Sequence, residues 1–310
     1  MYSKLLEKIK EYNKITIYRH LRPDGDATFS SAALKQFILD NFDKEAKICG
    51  FESFDKLNTI EEVSDDFIRD SLAIILDVSD KARIDDTRYE MAKFRIVIDH
   101  HPYVLDSADI TINDSDAAAA CELLATILYS DTFKDYKLSK DVCKYLYCGI
   151  LTDSIGFSTS STRPNTLLIG SKLVEDGAFN VSDLNTYLFN IDLNDYKSIT
   201  RLRNKLLIQE EVGYCILDTD DLQDIGMSYD TAKNHVNEFS RIDQLKIWAI
   251  FARNPKSQLF DGSIRSRRPY IINTLCEKYN GGGHNNACGV KSLDKKTIDK
   301  LIFELIELSK

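Results

Sequence analysis

The sequence predicts an α/β protein, with an N-terminal domain built on a parallel sheet that has helices on both faces and a smaller C-terminal α/β domain. Three observations favour this fold class. Short apolar runs alternate with helix-length segments over the first hundred residues, helical patterns dominate residues 117–188, and new strand and helix patterns follow a polar stretch. The length of 310 residues suits two domains better than one core.

The predicted elements of the N-terminal domain follow from apolar runs that indicate buried strands and from helical periodicity between them. The strands are predicted at Ile15–Tyr18, Ala46–Phe51, Leu72–Leu76 and Phe94–Ile98, and the main helices at Ala27–Leu39, Ala118–Tyr129, Ser139–Leu151 and Asn165–Asp176. An N-terminal domain is therefore expected over residues 1–190.

A polar segment, residues 191–209, is predicted to be a helical linker, and residues 210–310 are predicted to form the second domain. Its strands are expected at Gly213–Leu217, Lys246–Ala252 and Gln258–Arg265, and its helices at Pro269–Tyr279 and Lys295–Leu308.

The net charge, the apolar runs and the cysteines of the sequence limit the classes of function that we expect. The formal charge of −9 argues against a generic basic surface for duplex DNA, so an anionic ligand would need local cations or metal ions. No apolar run is long enough for a membrane span or a signal peptide, and we expect a cytoplasmic protein. The seven cysteines form no CxxC pair, and we predict unpaired, buried thiols.

Acidic and histidine residues follow the ends of the predicted strands. The first strand runs into HLRPDGDA, the third into LDVSD and the fourth into Asp99-His100-His101, while Asp153 lies in GILTDSIGF. Ligands bind at the carboxyl ends of the strands in parallel α/β sheets. The candidate set at this edge is His20, Asp24, Asp26, Asp77, His100 and Asp153.

Such a set suits metal ions. Clustered carboxylates are unfavourable unless cations neutralise them, although any single Asp at a strand end could be a helix cap or turn residue. Six ligands are enough for two ions that share one bridging carboxylate, the arrangement that clamps a phosphate and activates water. Oxygen ligands with some imidazole favour Mn²⁺, with Mg²⁺ as the alternative.

A glycine run near the C-terminus predicts an anion grip. Gly281, Gly282 and Gly283 precede His284 and leave backbone N–H groups accessible, and Arg265 lies upstream beside Ser266. Alone, the glycine run would be read as a flexible loop. Together with an arginine suited to two-point phosphate contact, it indicates a phosphate or nucleotide grip.

These motifs resemble the DHH phosphoesterase family, in its form with a DHH-associated C-terminal domain. The resemblance rests on HLRPDGDA (20–27), LDVSD (76–80), IDHH (98–101), GILTDSIGF (149–157), SIRS (263–266) and GGGHNNACG (281–289). The layout looks most like the stand-alone nanoRNase and 3′-phosphoadenosine 5′-phosphate (pAp) phosphatase branch. One departure is Phe29, which stands where the family often has a small residue.

The resemblance implies a role for each matching residue. One Mn²⁺ would be held by His20, Asp24 and Asp77, and the other by Asp26, Asp77, His100 and Asp153. Asp99 would orient a histidine, and His101 would face the substrate phosphate. Arg265, Ser266, Gly282, Gly283 and His284 would bind the terminal phosphate or nucleotide.

The implied activity is hydrolysis of short single-stranded RNA or DNA oligonucleotides, of pAp, or of both, without a membrane partner. A homodimer is one oligomeric state that we consider. The alternatives are a phosphodiesterase for pApA or cyclic di-AMP, a manganese-dependent inorganic pyrophosphatase, and a non-catalytic nucleotide-binding module. Among these, a non-catalytic module predicts a missing ligand, whereas all six are present.

Overall fold

The structure is a computed structural model, and it describes residues 1–78, 80–102 and 108–310, apart from the side chain of His284. The chain divides into two compact units, Met1–Asn190 and Ile191–Lys310. Each unit is an α/β structure with its own sheet, which confirms the predicted fold class.

The first unit contains a five-stranded sheet in the order β2-β1-β3-β4-β5, with every described pair parallel. The order reverses between β1 and β3, and such a switch point opens a crevice at the carboxyl ends of the strands. The elements are α1 (Tyr2–Glu11), β1 (Lys14–Tyr18), α2 (Gly25–Asn41), β2 (Glu45–Ile48), α3 (Asp65–Arg69), β3 (Leu72–Leu76), β4 (Phe94–Asp99), β5 (Ile110–Asn113), α4 (Ala120–Leu128), α5 (Lys140–Asp153), α6 (Pro164–Gly177) and α7 (Val181–Phe189).

Alternating side chains of the central strands enter two different cores. On β3, Leu72, Ile74 and Leu76 pack in the larger core with α2, α4 and α5, whereas Ala73 and Ile75 pack on the opposite face near α3. Because both faces are covered, these strands read as continuous apolar runs. This explains why the predicted strands at residues 72–76 and 94–98 agree closely with β3 and β4.

The second unit contains a six-stranded mixed sheet in the order β10-β11-β9-β8-β7-β6, in which only β7 and β8 form a parallel pair among the described strands. Its elements are α8 (Leu193–Asn204), β6 (Leu207–Gln209), β7 (Val212–Leu217), α9 (Thr219–Ile225), α10 (Tyr229–Asn234), β8 (Ile247–Arg253), β9 (Phe260–Ser266), α11 (Asn273–Glu277), β10 (Gly282–His284), β11 (Ala287–Leu293) and α12 (Lys295–Ser309).

Several predicted elements differ from the structure. The segment 191–209 is not helical throughout, because its last residues form β6 and pair with β7. The strand predicted at Ala46–Phe51 ends at Ile48, since Asp85 accepts a hydrogen bond from the backbone of Phe51 and Gly50 adopts a φ of 141°. The helix predicted from Pro269 to Tyr279 is limited to α11.

The prediction that all seven cysteines are unpaired is wrong. Cys276 and Cys288 form a disulfide in the structure, with their Cα atoms 6.5 Å apart. This pair has no signature in the sequence, because α11 and β11 are brought together only by the fold around the glycine hairpin. The other five described cysteines are free and buried, as predicted. Within the described ranges, no helix has both the length and the apolar character required to cross a membrane.

Candidate metal centre

His20 follows β1 and has its ring orientation fixed by the backbone. Its Nδ1 donates to the carbonyl oxygen of Leu21 at 2.8 Å, so Nε2 is the ring nitrogen that faces the neighbouring carboxylates. This Nε2 lies 3.6 Å from Oδ2 of Asp24 and 3.6 Å from Oδ2 of Asp77. Asp24 is also the N-cap of α2, because its Oδ1 accepts from the backbone of Ala27.

Asp77, directly after β3, lies between two histidines. Its Oδ2 faces His20, and its Oδ1 lies 3.3 Å from Nε2 of His100. The residue is buried and has a φ of 56°, a left-handed conformation that aspartate tolerates better than most residues. Each carboxylate oxygen therefore points towards a different histidine, as a bridging ligand requires.

The DHH segment continues the same edge of the sheet. His100 Nδ1 donates to the carbonyl of Ala117 at 3.1 Å, so its Nε2 is directed towards Asp77 and lies 3.6 Å from Oδ2 of Asp153. Asp99 is the last residue of β4, and its Oδ1 lies 2.8 Å from Nδ1 of His101. Asp99 is therefore in contact with the ring of His101, and its orienting role stays a prediction.

Asp26 and Asp153 come from two helices that pack closely. Both oxygens of Asp26 accept backbone hydrogen bonds from the first turn of α4, at 2.6 Å from Ala120 and 2.9 Å from Cys121. Asp153 is the last residue of α5. One turn earlier in α5, a Cβ at Gly149 would lie 2.9 Å from Oδ1 of Asp26, so glycine permits this approach.

The candidate ligand atoms fall into three groups, and the atoms of each lie within 4.8 Å of one another. The groups are His20–Asp24–Asp77, Asp26–His100–Asp153 and Asp77–His100–His101. Oδ1 of Asp77 is buried, and among the described residues no donor reaches it with good hydrogen-bond geometry, although Nε2 of His100 lies 3.3 Å away. A buried carboxylate oxygen in this state, on a group that faces an Nε2 atom with each of its two oxygens, fits divalent cations, and the donor set suits Mn²⁺ or Mg²⁺.

Burial and the neighbouring charges shift the pKa values of several groups of the site. Burial and the negative charge of Asp77 raise the pKa of Asp26 to about 7, and burial with Asp26 raises the pKa of Asp153 to about 8. Burial lowers the pKa of His100, but hydrogen bonding to Asp77 outweighs it and raises the pKa to about 11. In the metal-free site, protons thus neutralise positions that cations would otherwise neutralise.

The pKa values of His20 and Asp77 are shifted as well. Burial opposes the charged form of His20, yet hydrogen bonds to Asp24 and Asp77 raise its pKa to about 10. Burial alone would raise the pKa of Asp77, but hydrogen bonds from His100 and His20 hold it well below its usual range. Asp77 therefore stays ionised between the two histidines.

The predicted phosphate grip lies in the second unit. β10 and β11 form an antiparallel hairpin in which Gly283 is paired with Cys288. Gly283 has a φ of 145°, and a Cβ there would lie 2.4 Å from the carbonyl oxygen of Ala287. At Gly282 a Cβ would have no atom within 4 Å. Glycine is thus required at Gly283 by the backbone, whereas Gly282 borders open space.

Arg265 and Ser266 lie on the neighbouring strand, β9. The Arg265 side chain donates to the carbonyl of Ile264 at 3.0 Å and to that of Cys288 at 3.5 Å, and no acidic side chain of the described part pairs with it. Burial lowers its pKa. Ser266 donates to the carbonyl of Tyr270 at 2.6 Å, so its hydroxyl proton is already used. The side chain of His284 lies outside the described residues.

Some residues that shape these sites were not anticipated. Asn286 donates to Ser266 and to the carbonyl of Tyr270, which ties the hairpin turn to the end of β9. Ala117, Ala120 and Cys121 act through backbone atoms, for which a sequence has no residue signature. Phe29, which stands where the family often has a small residue, is buried and stacks on Tyr145, so it is a packing residue.

Known protein families contain the same two domains in the same order. The family model described as DHH family, N-terminal domain, matches residues 14–150, and the DHHA1 domain model matches residues 211–310. The chain is 30% identical to the probable bifunctional oligoribonuclease and PAP phosphatase NrnA of Streptococcus mutans, with 100% of this chain and 99% of the relative covered. It is 27% identical to the bifunctional oligoribonuclease and PAP phosphatase NrnA of Bacillus subtilis, with 100% and 99% covered.

A solved structure shares the complete fold. An exopolyphosphatase-related protein from Bacteroides fragilis superposes with a TM-score of 0.88 at 23% identity, covering 100% of this chain and 98% of that one. Two family models in the expected order and a relative at 30% identity over nearly its full length agree with the motifs at the strand ends. The chain therefore belongs to the DHH family, in the form that carries a C-terminal DHHA1 domain.

Proposed function

We propose that this protein is a two-metal phosphoesterase that hydrolyses short oligonucleotides and pAp with Mn²⁺. Membership of the DHH family makes it a hydrolase of phosphoester bonds. The names of its NrnA relatives support the choice of substrates. The observation that carries the metal proposal is the carboxylate of Asp77, whose two oxygens face His20 and His100 separately. A cytoplasmic location remains a prediction.

The ligands divide between two ions around Asp77. His20 and Asp24 would complete the first site, and Asp26, His100 and Asp153 the second. When bound, such a pair of ions lowers the pKa of a water molecule and neutralises charge on the reacting phosphate. In both histidines Nδ1 donates to a backbone carbonyl, so the rings are held with Nε2 available to a cation.

Asp99 and His101 form the part of the site that is proposed to contact the substrate. The carboxylate of Asp99 keeps a proton on Nδ1 of His101 and fixes the plane of the ring. The other ring nitrogen, Nε2, would donate to a phosphate oxygen when it carries a proton. His101 would thus orient the phosphate without supplying the nucleophile.

The second unit is proposed to provide selectivity. Arg265 is a cation without a carboxylate partner among the described residues, and the nearby hairpin exposes the backbone of Gly282. A phosphate or nucleotide would be bound there by Arg265, the N–H groups of Gly282 and Gly283, and His284. Because Ser266 already donates its proton to Tyr270, it could only accept a hydrogen bond in this arrangement.

The test is a substrate comparison with purified, chelator-treated protein. Release of mononucleotides from RNA of two to five nucleotides and of phosphate from pAp should require added Mn²⁺. Pyrophosphate, pApA and cyclic di-AMP are assayed in parallel, with Asp77→Asn protein as the control for contaminating enzymes. Preferential hydrolysis of pyrophosphate, or no metal-dependent turnover of any nucleotide, would overturn the proposal.

A further inference from the structure

Glu122 is a buried carboxylate close to the metal centre that is not itself available as a ligand. It is the third residue of α4 and has no exposed surface. Oε2 accepts from the backbone of Ala118 at 2.9 Å and from the Thr166 hydroxyl at 2.8 Å. Oε1 accepts from Asn165 at 2.9 Å and from Arg163 at 3.4 Å. These four donors use the accepting capacity of an ionised carboxylate.

The segment that Glu122 holds contacts two predicted ligands of the same ion. The carbonyl of Ala117 accepts from His100, and the N–H groups of Ala120 and Cys121 donate to Asp26. Ala118 lies between these contacts and donates its own N–H to Glu122. Residues 117–120 are all alanine, so the segment lacks polar side chains with which to anchor itself.

The opposite end of this network is the first turn of α6. Thr166 is buried, and its hydroxyl both donates to Glu122 and accepts from the backbone of Arg163. Glu122 therefore connects the alanine segment to a second helix through a fully bonded side chain. Fully satisfied buried polar networks fix geometry, whereas loss of one partner leaves others unpaired.

We propose that Glu122 is a positioning residue that places Asp26 and His100 for the second metal ion. The inference rests on the metal centre in the proposed function and extends it to a residue outside the ligand set. His20 and Asp24 have no contact with the alanine segment in the described hydrogen bonds. Glu122 should consequently affect one metal site and leave the other nearly unchanged.

The test is Mn²⁺ binding measured by equilibrium dialysis, which needs no substrate. Wild-type protein should bind two ions. Glu122→Gln replaces an accepting oxygen by an NH₂ group facing other donors, and it should weaken one of the two sites by about tenfold or more, the range for residues that orient metal ligands. The control Glu61→Gln alters a carboxylate of the same unit that binds the backbone of Ile48 and Lys35, and it should bind both ions normally.

Two variants of Thr166 test the role of Glu122 if the Glu122→Gln protein does not fold. Thr166→Val keeps the side-chain shape but removes the donor, and it should weaken the same single site. Thr166→Ser keeps the hydroxyl and should bind like wild type. Unchanged binding in Glu122→Gln and Thr166→Val, or an equal loss of both ions, would overturn the role of Glu122. Binding of fewer than two ions by wild type would instead overturn the proposed metal centre itself.

Discussion

Oδ1 of Asp77 lies 3.3 Å from Nε2 of His100, while the other oxygen of the same carboxylate faces His20. Replacing Asp77 should therefore remove a ligand from both metal sites. Asparagine is the better substitution because the residue has a φ of 56°, which asparagine tolerates better than alanine. We expect Asp77→Asn to lose at least about 100-fold in kcat/KM on pAp, about 2.7 kcal/mol of barrier.

Asp261→Asn provides the matched control for Asp77→Asn. Asp261 is also a buried carboxylate, but it lies in the second unit and binds Asn254 and the backbone of Ser292. This variant should keep most of the activity. Steady-state assays at saturating Mn²⁺ measure both proteins, and near wild-type turnover by Asp77→Asn would exclude a shared ligand at this position.

The metal-free protein should become less stable as the pH rises from 6 to 9. The raised pKa values of Asp26 and Asp153, about 7 and 8 against an ordinary 3.8, mean that the folded state binds more protons than the unfolded state between about pH 4 and 8. His20 and His100 act in the same direction. Their stabilising contribution is complete below pH 6.5, the ordinary pKa of histidine, and it is lost as the pH rises towards their folded-state pKa values of about 10 and about 11. Asp77 titrates below this window.

Thermal unfolding followed by circular dichroism at pH 6, 7, 8 and 9 measures this effect. In chelator the Tm should fall with pH, and the rise in Tm on adding Mn²⁺ should grow with pH, because the ion displaces protons from the ligands. Asp153→Asn removes one raised carboxylate and should flatten the dependence in chelator. A Tm in chelator that increases with pH for wild type would contradict the prediction.

Arg265→Gln and His284→Ala should reduce selectivity while both metal sites remain filled. A contact away from the reacting bond lowers the barrier by fixing the substrate. We expect a loss of about tenfold or more in kcat/KM on pAp and short RNA, about 1.4 kcal/mol, and a much smaller loss on bis-p-nitrophenyl phosphate. Equal losses on all substrates, or loss of Mn²⁺ in dialysis, would assign these residues to the catalytic centre or to folding.

The two glycines of the hairpin should respond differently to alanine. In Gly283→Ala the methyl group would meet the backbone of Ala287 and Cys288, and the φ of 145° would be strained, so we expect a loss of about 1–3 kcal/mol in unfolding free energy.

Gly282→Ala has space for the methyl group and should keep the wild-type stability. If the nest binds the substrate, this variant should nevertheless lose activity on pAp, because the methyl group occupies the open side. Urea denaturation and kinetics together separate the two effects. Wild-type activity in Gly282→Ala would remove this face from the proposed grip.

The sequence was most informative where a strand is buried on both faces. β3 is a continuous apolar run, and β4 is apolar except for Arg95 and its last residue, Asp99, so the ends of both strands could be located, and with them Asp77 and His100. The edge strand β5 was missed because its four residues include exposed and polar positions. β6 was missed because its residues are all exposed and follow a polar helix.

The surroundings of the ligands were less accessible to prediction. Glu122 lies in an apolar helical run, where a single acidic residue carries no indication of four buried partners. The disulfide between Cys276 and Cys288 depends on the pairing of β11 with its neighbours, which no spacing rule in the sequence reveals. Both features arise from tertiary contacts between elements distant in sequence.

The alanine segment has a consequence for mutational surveys. Residues 117–120 hold His100 and Asp26 through backbone atoms, so a scan by alanine substitution would pass over them and report a smaller site than the molecule uses. Ala120 is the first residue of α4 and follows an extended residue, Ala119, a position at which proline fits the backbone. Ala120→Pro would delete the N–H that donates to Oδ2 of Asp26, and its effect on activity would reveal the contribution of the backbone.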